Sequence, residues 1–117
     1  MRMGILSAAL AAIFLASCGT GTGLSAKATE GQRLAQDLGC TSCHSGQSGV
    51  GPNWEDTWGT ARELADGSTE VFDSDYVRSS LSDPSAQVVD GYQAIMPSFS
   101  LSDTQVEAII AFLKEAK

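Results

Sequence analysis

The sequence predicts a small all-α domain with three to four helices. Capping-box pairs precede two apolar stripes with helical spacing, one near each end of the domain. No alternating apolar and polar pattern is long enough for a sheet. With 117 residues, 43% apolar and 18% charged, the chain has room for one domain with a core and not for two.

The N-terminal segment, residues 1–17, is predicted to be an export signal. Arg2 precedes an apolar run from Ile5 to Ala16, which as a helix would span about 18 Å, short of a roughly 30 Å hydrocarbon core. A basic start followed by such a run is typical of a secretory signal peptide. The segment also resembles a bacterial lipoprotein signal, with Cys18 in the lipidated position. The resemblance implies a lipid anchor at Cys18 on the extracytoplasmic face of the bacterial cell membrane.

Residues 18–28 are predicted to form a flexible tether, because the sequence after Cys18 lacks helical periodicity and is rich in glycine. The folded domain then covers residues 29–117. Its first helix is predicted from about Glu30 to Gly39, with Thr29 and Gln32 as a capping box.

Two further helices and a short pairing are predicted later in the chain. A short helix covers Ser74 to Leu81, and the last helix covers Asp103 to about Glu115. Ser102 and Gln105 form the capping box of the last helix. Thr69 to Phe72 is long enough only for a brief hairpin.

Cys40, Cys43 and His44 form the CxxCH pattern that attaches c-type haem. Two thiols three positions apart on a helical turn can each bond one vinyl group, and the next residue turns its imidazole toward the iron. A disulfide or redox pair would not need His44. A zinc site needs four ligands, whereas the chain has one His and no second Cys pair. The pattern therefore predicts one covalent haem c.

Met96 is predicted to be the second axial ligand of the iron, opposite His44. It is the one Met after residue 17, and it follows His44 by 52 residues, which is enough to return to the other face of the haem. A Met in an apolar stretch can also be ordinary core filling. His/Met ligation raises the reduction potential and leaves no open position on the iron. Three lysines are the other side chains that could compete: Lys27, Lys114 and Lys117.

The chain after the tether resembles a class I cytochrome c domain, which implies an all-α fold around one covalent haem. Gly31 resembles the first-helix glycine that lets the last helix of that family cross closely, and Phe112 resembles the aromatic residue that packs there. Gly51-Pro52 resembles the pair whose proline carbonyl accepts the Nδ1–H of the ligand His44.

Residues 51–99 are most similar to the cytochrome c domain of bacterial haem-copper oxidase subunit II. They also resemble small cytochrome subunits of quinol-oxidising complexes. The resemblance implies a terminal oxidase or quinol-oxidising complex as partner. It places Trp58 or Tyr76 near a haem propionate, with Arg62 or Arg78 as charge partner. Bulky side chains between the two ligands are further candidates for the haem lining: Trp54, Trp58, Tyr76, Tyr92, Ile95 and Phe99.

Together these features predict a membrane-tethered carrier of single electrons rather than an enzyme with a small-molecule substrate. Acidic side chains outnumber basic ones by 14 to 7, which argues against a nucleic-acid partner. The alternative is a peroxidase-like or gas-reactive haem protein, which needs an open iron position that Met96 would fill. A third reading is a subunit that the haem merely stabilises.

Overall fold

The computed structural model describes residues 23–46 and 48–117 and shows a mostly helical domain. In this part of the chain the elements are α1 (Ala26–Asp37), α2 (Cys40–His44), β1 (Ala61–Glu63), β2 (Thr69–Val71), α3 (Ser74–Ser82) and α4 (Asp103–Glu115). The four helices confirm the predicted class. The antiparallel pairing of β1 with β2, with Ala61 opposite Val71, confirms the brief hairpin. The predicted signal and Cys18 lie outside the described residues.

None of the helices in the described part of the chain has the length and apolar character needed to cross a membrane.

Helix α1 begins earlier than the sequence pattern predicts. Ser25 is its N-cap, with the side chain accepting a hydrogen bond from the Ala28 N–H at 3.2 Å. The backbone N–H and the hydroxyl of Ser25 donate to the two carboxylate oxygens of Glu115, each at 2.8 Å. A contact between residues 90 positions apart therefore fixes the start of the helix.

Two predictions about this region were consequently wrong. Thr29 and Gln32 lie inside α1, so they do not form its N-terminal capping box. Residues 26–28 belong to the first turn of the helix and not to a tether, and Ala28 is fully buried. The helix ends at Asp37, before the predicted Gly39.

The packing of α1 against α4 depends on a glycine. A Cβ on Gly31 would lie 1.9 Å from the backbone oxygen of Ala108 and 2.9 Å from the Cβ of Phe112. No larger residue fits that approach, which confirms the predicted role of Gly31. Helix α4 has its predicted bounds, and both hydrogen bonds of the Ser102–Gln105 capping box are present.

Helix α3 also begins at its predicted residue, Ser74, where the Asp73 carboxylate accepts the N–H groups of Asp75 and Tyr76 at 3.0 Å. Residues 83–102, between α3 and α4, contain no helix or strand. One isolated bridge, from Val89 to Leu64, ties this segment to the rest of the domain. The buried core draws on α1, α3 and α4, chiefly Leu34, Ala35, Val77, Leu81, Ile109, Ile110 and Leu113.

Candidate functional site

A mostly apolar cavity of about 240 Å³ is lined by α2 and by the segment that follows α3. One buried water needs only about 10–15 Å³, so this space accommodates a far larger group. Cys40, Cys43, His44 and Met96 all belong to its lining. The fold therefore brings together the four side chains predicted to hold the haem, although Met96 lies far from the others in sequence.

The short helix α2 presents both thiols to the cavity. Gly39 precedes it with φ 78°, a left-handed conformation that side-chain-bearing residues rarely adopt. The chain changes direction at Gly39, so that α2, which carries Cys40 and Cys43, does not continue α1. Cys40 is half-buried and Cys43 is exposed. Burial raises the pKa of the Cys40 thiol.

The imidazole of His44 is oriented by the loop that follows α2. The Pro52 carbonyl lies 2.8 Å from Nδ1, so Nδ1 donates and Nε2 is left as the atom that can bind a metal. Burial lowers the pKa of His44, against the opposing effect of the Pro52 hydrogen bond, and so favours the neutral ring that a metal requires. A Cβ on Gly51 would lie 2.9 Å from Cε1 of His44, so this backbone passes directly against the ring.

Trp54 makes the closest aromatic contact to the same imidazole. Its ring stacks on His44 with centroids 5.0 Å apart and planes inclined by 15°. Its other neighbour is Phe112 of α4, in an edge-to-face contact at 5.9 Å and 80°. The sequence identifies Trp54 only as bulk for the lining, because no pattern in the sequence tells which ring an indole will stack on.

Three buried polar atoms in the cavity wall have no hydrogen-bond partner: Arg62 Nε, Ser80 Oγ and Gln87 Oε1. Leaving such a buried group without a partner costs about 1–3 kcal/mol of folding free energy. A ligand with a polar end would supply the missing partners. Burial lowers the pKa of the Arg62 guanidinium, while the nearby Tyr76 and Tyr92 act to raise it. Nothing in the sequence pattern distinguishes Ser80 or Gln87 from other polar residues.

Tyr76 lines the cavity as predicted and is 8% exposed. Burial raises the pKa of its hydroxyl. Four of the six bulky candidates belong to the lining: Trp54, Tyr76, Tyr92 and Ile95.

The structure does not bring Trp58, Phe99 or Arg78 into that lining. Trp58 packs edge-on against Phe72 at 5.4 Å, so the predicted proximity of Trp58 to a propionate gains no support here. Arg78 forms an ion pair with Glu107 of α4, which leaves Arg62 as the arginine at the cavity.

The cavity reaches the surface at two apolar side chains. Val50 and Ile95 both belong to its lining, and they are 41% and 60% exposed. One edge of a bound group is therefore expected to face solvent.

A family model described as Cytochrome c matches residues 28–117, which is more than half of the chain. The chain belongs to the cytochrome c family. Its cofactor is accordingly one covalent haem c, and its function is haem-based electron transfer, as expected of a carrier rather than an enzyme. No curated protein was similar enough to this cytochrome c to count as a match. The finer resemblance to oxidase subunit II stays a prediction.

The cavity of this cytochrome c fits the haem on two independent grounds. Paired thiols and an imidazole with a free Nε2 lie on α2. Three atoms without hydrogen-bond partners, Arg62 Nε, Ser80 Oγ and Gln87 Oε1, provide polar and cationic groups in a mostly apolar wall, which matches an apolar macrocycle with two carboxylates.

Proposed function

We propose that this cytochrome c carries single electrons through an iron ligated by His44 and Met96. The observation that carries the proposal is that both side chains line one apolar cavity, with His44 Nδ1 already held by Pro52. When bound, the haem supplies an iron that takes up and releases one electron. A thioether ligand favours the ferrous state, so Met96 would raise the reduction potential.

The surrounding residues serve the same task by excluding water and limiting charge. Among the described residues of the lining, no carboxylate is present and Arg62 is the one permanently charged side chain. The exposed Val50 and Ile95 mark the opening at which a partner approaches most closely. A cavity with these features holds the haem for electron transfer and provides no site for substrate chemistry.

The ligation is tested on the unmutated protein by absorption spectroscopy and carbon monoxide. The ferric form should be low-spin and show the weak sulfur-to-iron absorption band, and the ferrous form should not bind carbon monoxide at neutral pH. Ready binding of carbon monoxide would contradict Met96 as a firm ligand and would favour the peroxidase-like or gas-reactive alternative.

We infer that residues 1–17 are removed and that Cys18 carries the lipid anchor. The support is the sequence pattern, and the start of α1 at Ala26 leaves a short connection. The seven Cα-to-Cα steps from Cys18 to Ser25 span at most about 25 Å, so the domain would stay close to the extracytoplasmic membrane face. Mass analysis of the mature N-terminus tests this. Cys18→Ser should release the protein from membranes, whereas Thr20→Ser should not; membrane retention of Cys18→Ser would refute the anchor.

We propose a terminal oxidase or a quinol-oxidising complex as the electron-transfer partner. The formal net charge of -7 favours a basic docking surface on that partner. Purification from the native membrane in mild detergent should recover such a complex with the cytochrome. Its electron-transfer rate should fall as salt screens the attraction. A rate independent of ionic strength would contradict steering by charge.

A further inference from the structure

The ring of His44 is restrained on three sides, and the three restraints differ in kind. The hydrogen bond to Pro52 fixes the position of Nδ1. The backbone of Gly51 limits the space beside Cε1. Neither contact prevents the ring from rotating about the axis of the hydrogen bond between Nδ1 and the Pro52 carbonyl oxygen. The parallel stack of Trp54 is the contact that opposes this rotation, because tilting the imidazole would separate the two ring faces.

Trp54 can act as a fixed surface because both its ring and its backbone are held. The Thr57 hydroxyl donates to the Trp54 carbonyl at 2.8 Å. Nη2 of Arg62 donates to the Thr57 hydroxyl oxygen at 3.0 Å and to the Asn53 carbonyl at 2.9 Å. The loop that carries the indole is therefore tied to β1, and the ring itself abuts Phe112.

Phe112 in turn lies at the crossing of α1 and α4. Its Cβ is one of the atoms that a side chain on Gly31 would strike. A continuous set of packed groups therefore runs from the helix crossing through Phe112 and Trp54 to the imidazole of His44.

We propose that Trp54 is a positioning residue that sets the plane of the His44 imidazole and couples that plane to the α1–α4 crossing. The proposal rests on the proposed function, since it requires His44 to bind the iron. The electron-rich face of the indole also stabilises positive charge on the ring, which is greater in the ferric state. Trp54 therefore lowers the reduction potential relative to an aliphatic residue at this position.

The test compares Trp54→Leu with Trp54→Phe in the haem-loaded protein. Trp54→Leu should change the g values of the ferric electron paramagnetic resonance spectrum, which report the ligand plane. It should also raise the ferrous-to-ferric ratio at a fixed applied potential by about two- to fivefold. Trp54→Phe keeps an aromatic face and should restore most of both properties. Ile110→Ala removes a buried side chain of α4 outside the cavity lining and should leave the g values unchanged.

A second variant tests the coupling without altering the indole. Phe112→Leu should shift the g values in the same direction as Trp54→Leu by a smaller amount, and the double variant should resemble Trp54→Leu alone. Phe112→Leu also serves if Trp54→Leu does not fold. The proposal is overturned if low-spin Trp54→Leu has the g values of the wild type. If Trp54→Leu does not fold, wild-type g values in Phe112→Leu overturn it instead. Neither result would contradict ligation of the iron by His44 and Met96. If the unmutated ferric protein lacks histidine ligation, the proposed function fails first.

Discussion

His44 and Met96 line the same cavity, but the chain holds the two residues differently. His44 lies on a helical turn, with a hydrogen bond to Pro52 and a stacked Trp54 against its ring. Met96 lies in residues 83–102, which have no helix or strand. The nearest backbone ties around it are the N–H of Ile95 to the Gln93 carbonyl and the N–H of Phe99 to the Leu81 carbonyl.

The difference indicates that contacts within the protein prepare the His44 side, whereas the Met96 side would depend more on the proposed bond to the iron. A segment with few internal hydrogen bonds opens at lower free energy than a packed helix crossing. We therefore expect the Met96 side to respond first to stress and the His44 side to fail only with the whole domain.

The largest effect is expected from removing the two thiols on the His44 side. Cys40→Ala together with Cys43→Ala should abolish covalent attachment, because no other described thiol lies at the cavity. The pyridine adduct of the purified chain should show no c-type spectrum. Ser42→Ala lies on the same turn and should retain full haem content; equal loss in that variant would attribute the effect to the turn and not to the thiols.

Loss of the Met96 thioether should change ligand binding while the fold persists. Met96→Ala should lower the reduction potential and make the ferrous iron bind carbon monoxide, since one axial position opens. Met96→His should close the position again at a lower potential than the wild type. Carbon monoxide titration followed by absorption measures both, and a Met96→Ala protein that unfolds completely would remove the asymmetry between the two sides.

Crowding the helix crossing should act on global stability. Gly31→Ala places a Cβ against the backbone oxygen of Ala108, and overpacking of this kind costs typically about 1–3 kcal/mol. Denaturant unfolding followed by circular dichroism gives the free energy. Gly46→Ala is the matched control, because its nearest contact would be an ordinary 3.6 Å to Asn53. If Gly31→Ala released Met96 before unfolding the domain, the two sides would not be independent.

The smallest effect concerns the contact between Ser25 and Glu115. Hydrogen bonds from Ser25, the backbone N–H first, lower the pKa of Glu115 in the folded protein. The contact therefore stabilises the fold above the unfolded pKa of about 4.3 and is lost as the pH falls through the lower folded value. Glu115→Gln should be less stable than the wild type near neutral pH, and the gap should close in acid. A stability difference that stays constant from neutral pH into acid would contradict this role of the contact.

Much of the fold could be predicted because local signals governed it. The capping box at Ser102 and the apolar stripe after it are contained within one segment, and α4 has the predicted bounds. The start of α1 could not be predicted in this way, since a carboxylate at the other end of the domain binds Ser25. Thr29 and Gln32 satisfy the same sequence rule as Ser102 and Gln105, yet tertiary packing extends the helix past them.

The candidate site divides along the same line. Spacing alone selected Cys40, Cys43 and His44, and elimination selected Met96; the structure places all four at one cavity. The directions in which the aromatic side chains point could not be predicted from the sequence. The family resemblance suggests Trp58 near the haem, whereas in the structure Trp58 packs on Phe72. No pattern in the sequence predicts the stack of Trp54 on His44.

The joining of Ser25 to Glu115 has a mechanical consequence. A force applied to the chain on the N-terminal side of Ser25 acts on α1 through the backbone. It also acts on the end of α4 through the two hydrogen bonds from Ser25 to Glu115. The pull is thus shared by both helices of the crossing instead of peeling one from the other. Under such tension the two helices of the crossing, which carry Gly31 and Phe112 beside Trp54, are expected to move together.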